Sequence, residues 1–292
     1  MRDFSRDLRA LSINTATVRA QWPLDRIIEE CAAHGIPAVS PWRDQVAAVG
    51  LDRTARCLRE NGIRLSGYCR GGMFPAADAR GRQAAIDDTR RAIDEARALD
   101  APCLILVVGG LPGALEGHAA HKDIARARDD VREGVRAIMA HARQAGMPLA
   151  IEPLHPMYAA DRACINTLEQ ALDLCDELEP AVADGQSPIL GVAVDVYHVW
   201  WDPKLHAQIR RAGRDRLLAF HICDWLTPTR DLLNDRGMMG DGVIDIARIR
   251  GWMEAAGYTG YAEVEIFSAE NWWRRPGEEV LATCIKRFNS VV

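Results

Sequence analysis

The feature that most constrains this chain is a repeated alternation of short apolar runs with longer amphipathic stretches. The runs occupy residues 11–13, 36–40, 63–68, 103–108, 148–152, 189–195, 217–221 and 261–266. A short apolar run bounded by turn residues reads as a strand buried on both faces. Between the runs, residues 24–34, 54–61, 85–99, 125–145 and 246–256 carry helical periodicity, and four of these stretches stop at Gly35, Gly62, Gly146 and Gly257. Thr167-Leu168-Glu169-Gln170 has the pattern of a capping box opening a helix through Leu178. Strand followed by helix, repeated along a chain, calls for a parallel sheet covered by helices, because parallel neighbours need a crossover. Eight such units with no linker-like stretch predict one closed (β/α)8 barrel domain over residues 1–292. An open doubly wound sheet fits less well, since Asn14-Thr15-Ala16, and no glycine-rich phosphate turn, follows the first run.

Charge and composition narrow the partners. Lys and Arg number 36 against 41 Asp and Glu, a net charge of −5, so the basic field that drives nucleic-acid binding is missing. The apolar run at 103–108 falls far short of the roughly 18 residues of a membrane span. Residues 1–7 carry acids and no apolar core of a signal peptide, so a cytoplasmic location is expected. Eight widely spaced cysteines without a C-x-x-C pair are expected to be buried free thiols.

A barrel of this kind works at the C-terminal ends of its strands, and each of the last four runs closes on ionisable residues. Period-two alternation turns Leu149 and Ile151 toward the helices and Ala150 and Glu152 toward the barrel axis. The same rule turns Ala193 and Asp195, then His221, then Glu263 and Glu265 inward, with Glu265 nearer the working end. Such groups are costly to bury unpaired. One divalent metal held by Glu152, Asp195, His221 and Glu265 resolves the cost. Three carboxylates and one imidazole suit Mn²⁺ first, with Mg²⁺, Co²⁺ and Zn²⁺ as alternatives. Buried ion pairs with Arg236 or Arg162 are the competing arrangement.

The series Glu152, Asp195, His221, Glu265 resembles the metal site of the xylose-isomerase-like barrel superfamily. So do the strings Glu152-Pro153-Leu154-His155-Pro156, Asp195-Val196-Tyr197-His198, Gly240-Asp241-Gly242-Val243-Ile244-Asp245 and Gly257-Tyr258-Thr259-Gly260. The resemblance covers essentially the whole chain and is specific for fold and metal site, not for substrate. It implies an isomerase or epimerase acting on a small keto-sugar or polyol derivative by enolisation. Glu152 and Glu265 would then be catalytic acid and base as well as metal ligands, while Asp195 and His221 would mainly hold the ion. It also implies substrate contacts for His198 and Arg236. His155 and Trp225 are further substrate-binding candidates by position.

Three other functions stay in view. A lyase of the same barrel, dehydrating an inosose or cleaving a 3-keto-glycoside or C-glycoside, would use the same enolisation. A non-catalytic carbohydrate-binding barrel would not need two ligating glutamates. An AP endonuclease would carry further histidines where Tyr68-Cys69 and Gly109-Gly110 stand. Six tryptophans, at 42, 200, 201, 225, 272 and 273, follow strand ends and suit sugar stacking, loop packing or a homo-oligomer interface. The glycines after Arg70 read as plain turns or as close approach of a ligand. Cys69 has no adjacent base in sequence, so it is not assigned as a nucleophile. Asp224 and Glu270 follow the last two strands and would repel phosphate, so a non-phosphorylated substrate is expected.

Overall fold

The computed structural model describes residues 8–180 and 187–292; the expectation about residues 1–7 lies outside the described residues. All eight apolar runs carry strands. In chain order these are β1 (Leu11–Asn14), β2 (Ala38–Ser40), β3 (Arg64–Leu65), β4 (Tyr68–Gly72), β5 (Leu104–Val107), β6 (Leu149–Ile151), β7 (Leu190–Asp195), β8 (Leu217–Ile222) and, after a short ribbon described below, β11 (Ala262–Val264). They form one parallel sheet in the order β3-β2-β1-β11-β8-β7-β6-β5-β4. The third run is split, which the apolar pattern alone does not reveal. Its first half, β3, pairs with β2, and its second half, β4, pairs with β5. A bridge between Trp42, just after β2, and Cys69 of β4, with the Cys69 amide donating to Pro41 O at 3.1 Å, nearly closes the ring.

Helices α1 (Leu24–Ala33), α2 (Arg43–Val49), α3 (Leu51–Asn61), α4 (Ala79–Ala98), α5 (Ile124–Ala145), α6 (Leu168–Leu178), the short α7 (Val196–Val199), α8 (Leu205–Arg216), α9 (Ile246–Ala255) and α10 (Gly277–Val291) connect the strands. The expected stops hold: Gly62 and Gly146 end α3 and α5 in the left-handed conformation. Thr167 caps α6 by accepting from the Gln170 amide, while Gln170 turns back to the amide of Asn166, one residue before the usual capping-box partner. Sequence periodicity left α8 and α10 unassigned. Arginines at 210, 211, 214 and 216 mask the apolar stripe of α8, which still buries Leu205, Ile209 and Ala212.

Inward and outward faces separate as alternation requires. Leu149, Ile151, Val192 and Val194 belong to the large core between sheet and helices. Ala150, Ala193 and Ala219 form a distinct buried cluster inside the barrel with Cys69, Cys103 and Ile105. Small side chains at this level leave room above them for the polar groups at the strand ends. All eight cysteines are free, and all but Cys57 are buried. No helix among the described residues is long and apolar enough to cross a membrane.

Candidate metal centre

The four candidate ligands come from four adjacent strands. Glu152 follows β6 and extends its ladder, its amide donating to Leu106 O at 3.1 Å. Asp195 is the last residue of β7, and His221 sits opposite it in β8. Glu265 follows β11, with its amide donating to Ile222 O at 3.1 Å. Neighbouring strands lie close to 5 Å apart, so inward side chains at one level converge. One ligand atom from each of Glu152, Asp195, His221 and Glu265 lies within 4.8 Å of the other three, and all four residues are buried.

The donor set fits a cation on its own chemistry. His221 Nδ1 lies 2.9 Å from Glu152 Oε1 and 4.0 Å from Glu265 Oε2. Yet neither His221 Nδ1 nor Glu152 Oε1 has a hydrogen-bond partner, because the close approach lacks the alignment. Buried polar atoms left unpaired this way are rare unless a ligand satisfies them. On its far side, His221 Nε2 lies 3.6 Å from Glu263. Glu263 is anchored from below by Asn14 Nδ2 and Ser66 Oγ, each donating at 2.7 Å. His221 Nε2 makes no hydrogen bond across that gap, but the carboxylate charge behind the imidazole favours a ring whose other nitrogen faces a metal.

Arg236 enters this acidic cluster. Its Nη1 donates to Asp195 Oδ2 at 2.9 Å and to Glu265 Oε2 at 3.0 Å. It arrives on a two-stranded antiparallel ribbon, β9 (Asp224–Trp225) with β10 (Arg236–Gly237), whose strands are too short for a sequence pattern. Its guanidinium lies 4.4 Å from the Tyr197 ring centre. The competing ion-pair arrangement is therefore realised for Arg236, alongside the convergent ligand geometry. Arg162 makes no such pair with the cluster; the carboxylate beside it is its neighbour Asp161, at 3.9 Å.

Electrostatics separate the groups. Burial raises the proton affinity of Asp195, but Arg236, His198, His221 and the Tyr197 amide together outweigh it and hold this carboxylate below its ordinary value. Glu265 is pushed up to about 8, first by burial, with Glu152 and Asp195 adding to it against Arg236 and His221. Burial opposes charging of His221, but the carboxylates of Glu263, Glu152 and Glu265 lift it well above its usual value. Burial drives His198 down to about 3, so it is neutral. Burial also pushes the Cys69 thiol well up, in keeping with an inert side chain.

A cleft of about 520 Å³ opens above the cluster, with Glu152, Glu265, His198 and Arg236 in its wall together with Trp42, Arg70 and Arg162. His155 and Trp225 are not among its lining residues. They stack on each other, ring centres 4.8 Å apart, where the chain turns away after β6. Of the six tryptophans at strand ends, only Trp42 lines this cleft. Two of the others secure loops: Trp201 donates to His198 O at 2.8 Å and Trp273 to Ala16 O at 2.9 Å. The two carboxylates expected to repel phosphate do not line the cleft. Asp224 is buried and turned away, accepting from the amides of Gly240, Gly242 and Ile244, and exposed Glu270 pairs with Arg274.

The family model of the xylose isomerase-like TIM barrel matches residues 28–287. The chain belongs to that family. Protein SMc04130 from Sinorhizobium meliloti 1021 is similar at 59% identity, over 98% of this chain and 99% of that one, with a TM-score of 0.90. At fold level only, this family member resembles the IOLI protein with a bound zinc atom, at 19% identity, TM-score 0.78, over 97% of this chain and 98% of that one. It likewise resembles the 3-keto-D-glucoside 4-epimerase YcjR from E. coli, at 15% identity, TM-score 0.72, over 95% and 99% of the two chains. A search of curated proteins found no match.

Proposed function

We propose that this family member is a divalent-metal-dependent isomerase or epimerase acting on a small keto-sugar or polyol derivative. The observation that carries the reading is the placement of Glu152 and Glu265. Both belong to the convergent ligand cluster, and both line the cleft above it. Glu152, Asp195, His221 and Glu265 would hold the ion, with Mn²⁺ the best match to three carboxylates and one imidazole and Mg²⁺, Co²⁺ or Zn²⁺ as alternatives. When bound, the ion would polarise the substrate carbonyl and acidify the neighbouring C–H.

The protein's own groups then carry the proton. One glutamate takes the hydrogen of the carbon beside the carbonyl, and the C–H electron pair forms the C=C bond of an enediolate as the carbonyl electrons move to oxygen. The other glutamate returns a proton to the opposite face of that carbon, which epimerises it, or to the former carbonyl carbon while the neighbouring hydroxyl proton passes to the former carbonyl oxygen, which isomerises the sugar. Arg236 and neutral His198, at the cleft wall, are placed to bind substrate oxygens. Elimination from the same enediolate would need an acid at the leaving group. His198 stays neutral and His155 lies off the cleft, so neither histidine supplies that acid, and isomerisation, which needs only the two glutamates, is preferred.

The test is solvent-deuterium incorporation into a panel of ketoses and keto-polyols by the Mn²⁺-loaded protein, followed by NMR. Exchange beside the carbonyl, abolished in Glu152→Gln and Glu265→Gln, is expected. Absence of exchange in every member of the panel, with Mn²⁺ bound, would count against enolisation.

A further inference from the structure

The two arginines of the cleft wall that the metal reading leaves unused differ from others nearby. Arg43 is held by Asp88 at 2.7 Å and Glu95 at 2.8 Å, and Arg236 by Asp195 and Glu265. Arg70, half-buried, has no hydrogen bond or ion pair among the described residues. Arg162 has its Nε buried without an acceptor. Its nearest carboxylate, Asp161, stands at 3.9 Å, beyond hydrogen-bond length, and its guanidinium lies 5.8 Å from the Tyr158 ring centre. The two cations repel: burial first, then the positive charge of Arg162, lowers the pKa of Arg70. Two unpaired guanidiniums in one cleft are costly unless an anion satisfies them.

The backbone is built to present them. In the pairing of β4 with β5, Cys69 sits opposite Ile105 and Gly71 opposite Leu106, so Arg70 is the extra residue of a bulge. Bulges re-aim a side chain at the cost of a local ladder contact. The two glycines that follow are required for it. A Cβ on Gly71 would come within 2.9 Å of Thr89 Cγ2, and one on Gly72, at φ +110°, within 2.2 Å of Val107 O. Arg162 is fixed from both sides: its amide donates to Tyr158 O at 3.0 Å, and the next residue, Ala163, bridges Gly109.

We propose that Arg70 and Arg162 form an anion-binding wall, so that the substrate of this site carries a carboxylate or a phosphate group. The proposal rests on the keto-sugar reading above and adds a substrate class to it. It replaces the sequence-based expectation of a non-phosphorylated substrate, which relied on Asp224 and Glu270, neither of which lines the cleft.

The experiment is calorimetric titration of the full chain, with and without Mn²⁺, using D-fructose, D-fructuronate and D-fructose 6-phosphate as matched probes. Wild type, Arg70→Gln, Arg162→Gln and the double variant are compared, with Mn²⁺ affinity recorded for each. At least one charged ketose is expected to bind about tenfold or more tightly than fructose, as for a charge-assisted contact. That preference should weaken with added salt and vanish in the double variant, with Mn²⁺ affinity unchanged. The preferred charged probe tells carboxylate from phosphate. Equal binding of all three ketoses, no binding of either charged one, or a preference that survives in the double variant overturns the proposal. Failure of Mn²⁺ to bind wild type would instead strike the metal reading, and the anion wall would then be judged on the metal-free titrations by the same criteria.

Discussion

The mouth of the barrel has an acidic floor and a basic wall, and the two are built differently. The floor is made by strand ends. Glu152, Asp195, His221 and Glu265 stand on four consecutive staves of the sheet, and Glu263, Asn14 and Ser66 brace them from below. The wall is made by irregularity, with Arg70 on a bulge and Arg162 in the loop after β6. Groups set by the sheet's own period are held rigidly and converge on one point. Groups set by a bulge and a loop can be changed without disturbing the sheet. The difference suits the division of labour proposed above, with reaction chemistry on the floor and choice of substrate on the wall.

That division can be attacked from the floor upward. Glu152→Gln or Glu265→Gln should lower proton exchange by about a thousandfold, in the range lost with a general acid or base, while circular dichroism stays unchanged. Next, Asp195→Ala should weaken Mn²⁺ binding by more than the roughly 10–100-fold associated with a supporting residue, and Glu263→Gln should fall within that range; metal titrations of both variants check the order. A Glu263→Gln loss equal to that of Asp195→Ala would erase the distinction between ligand and brace. A third effect follows from protonation. Glu265, with its pKa pushed up to about 8, holds a proton at neutral pH that a metal must displace. Mn²⁺ affinity should therefore rise with pH, by about tenfold per unit for each proton displaced, and the part due to Glu265 should level off above about pH 8; a pH-independent affinity would deny that Glu265 is a ligand. The smallest effect belongs to the wall. Gly71→Ala should cost about 1–3 kcal/mol by overpacking against Thr89, reduce the preference for charged ketoses and leave Mn²⁺ affinity within about twofold.

The same contrast decides what was legible in the sequence. Alternation along 148–152, 189–195, 217–221 and 261–266 foretold which residues turn inward, and the separate cluster of Ala150, Ala193 and Ala219 has that origin. The floor could be read because period two is a local property. The wall could not. Arg70 stands before glycines that read equally as plain turns or as close approach of a ligand, since a bulge depends on the register of the neighbouring strand. Arg162 looked like a partner for the carboxylates, since nothing local says which loop arginine reaches them. Arg236 does so through a ribbon whose two strands are ten residues apart. His155 and Trp225 lie outside the cleft lining for the converse reason: proximity to a strand end puts a residue near the mouth, but loop packing decides whether it faces the cleft. The split of the third run into β3 and β4 depended equally on which neighbours were available to pair.

The central claim is that four strand-end residues form one divalent-metal centre. Its most direct test is thermal unfolding of chelator-stripped protein against added Mn²⁺, in wild type and in Glu265→Gln. Binding to the native state alone stabilises by about 2.7 kcal/mol at a hundredfold excess over the dissociation constant. A clear rise in Tm for wild type, largely lost in the variant, is the predicted result. An unchanged Tm with Mn²⁺, Mg²⁺, Co²⁺ and Zn²⁺ alike would contradict it, and would leave Arg236 and its carboxylates as a structural ion-pair cluster.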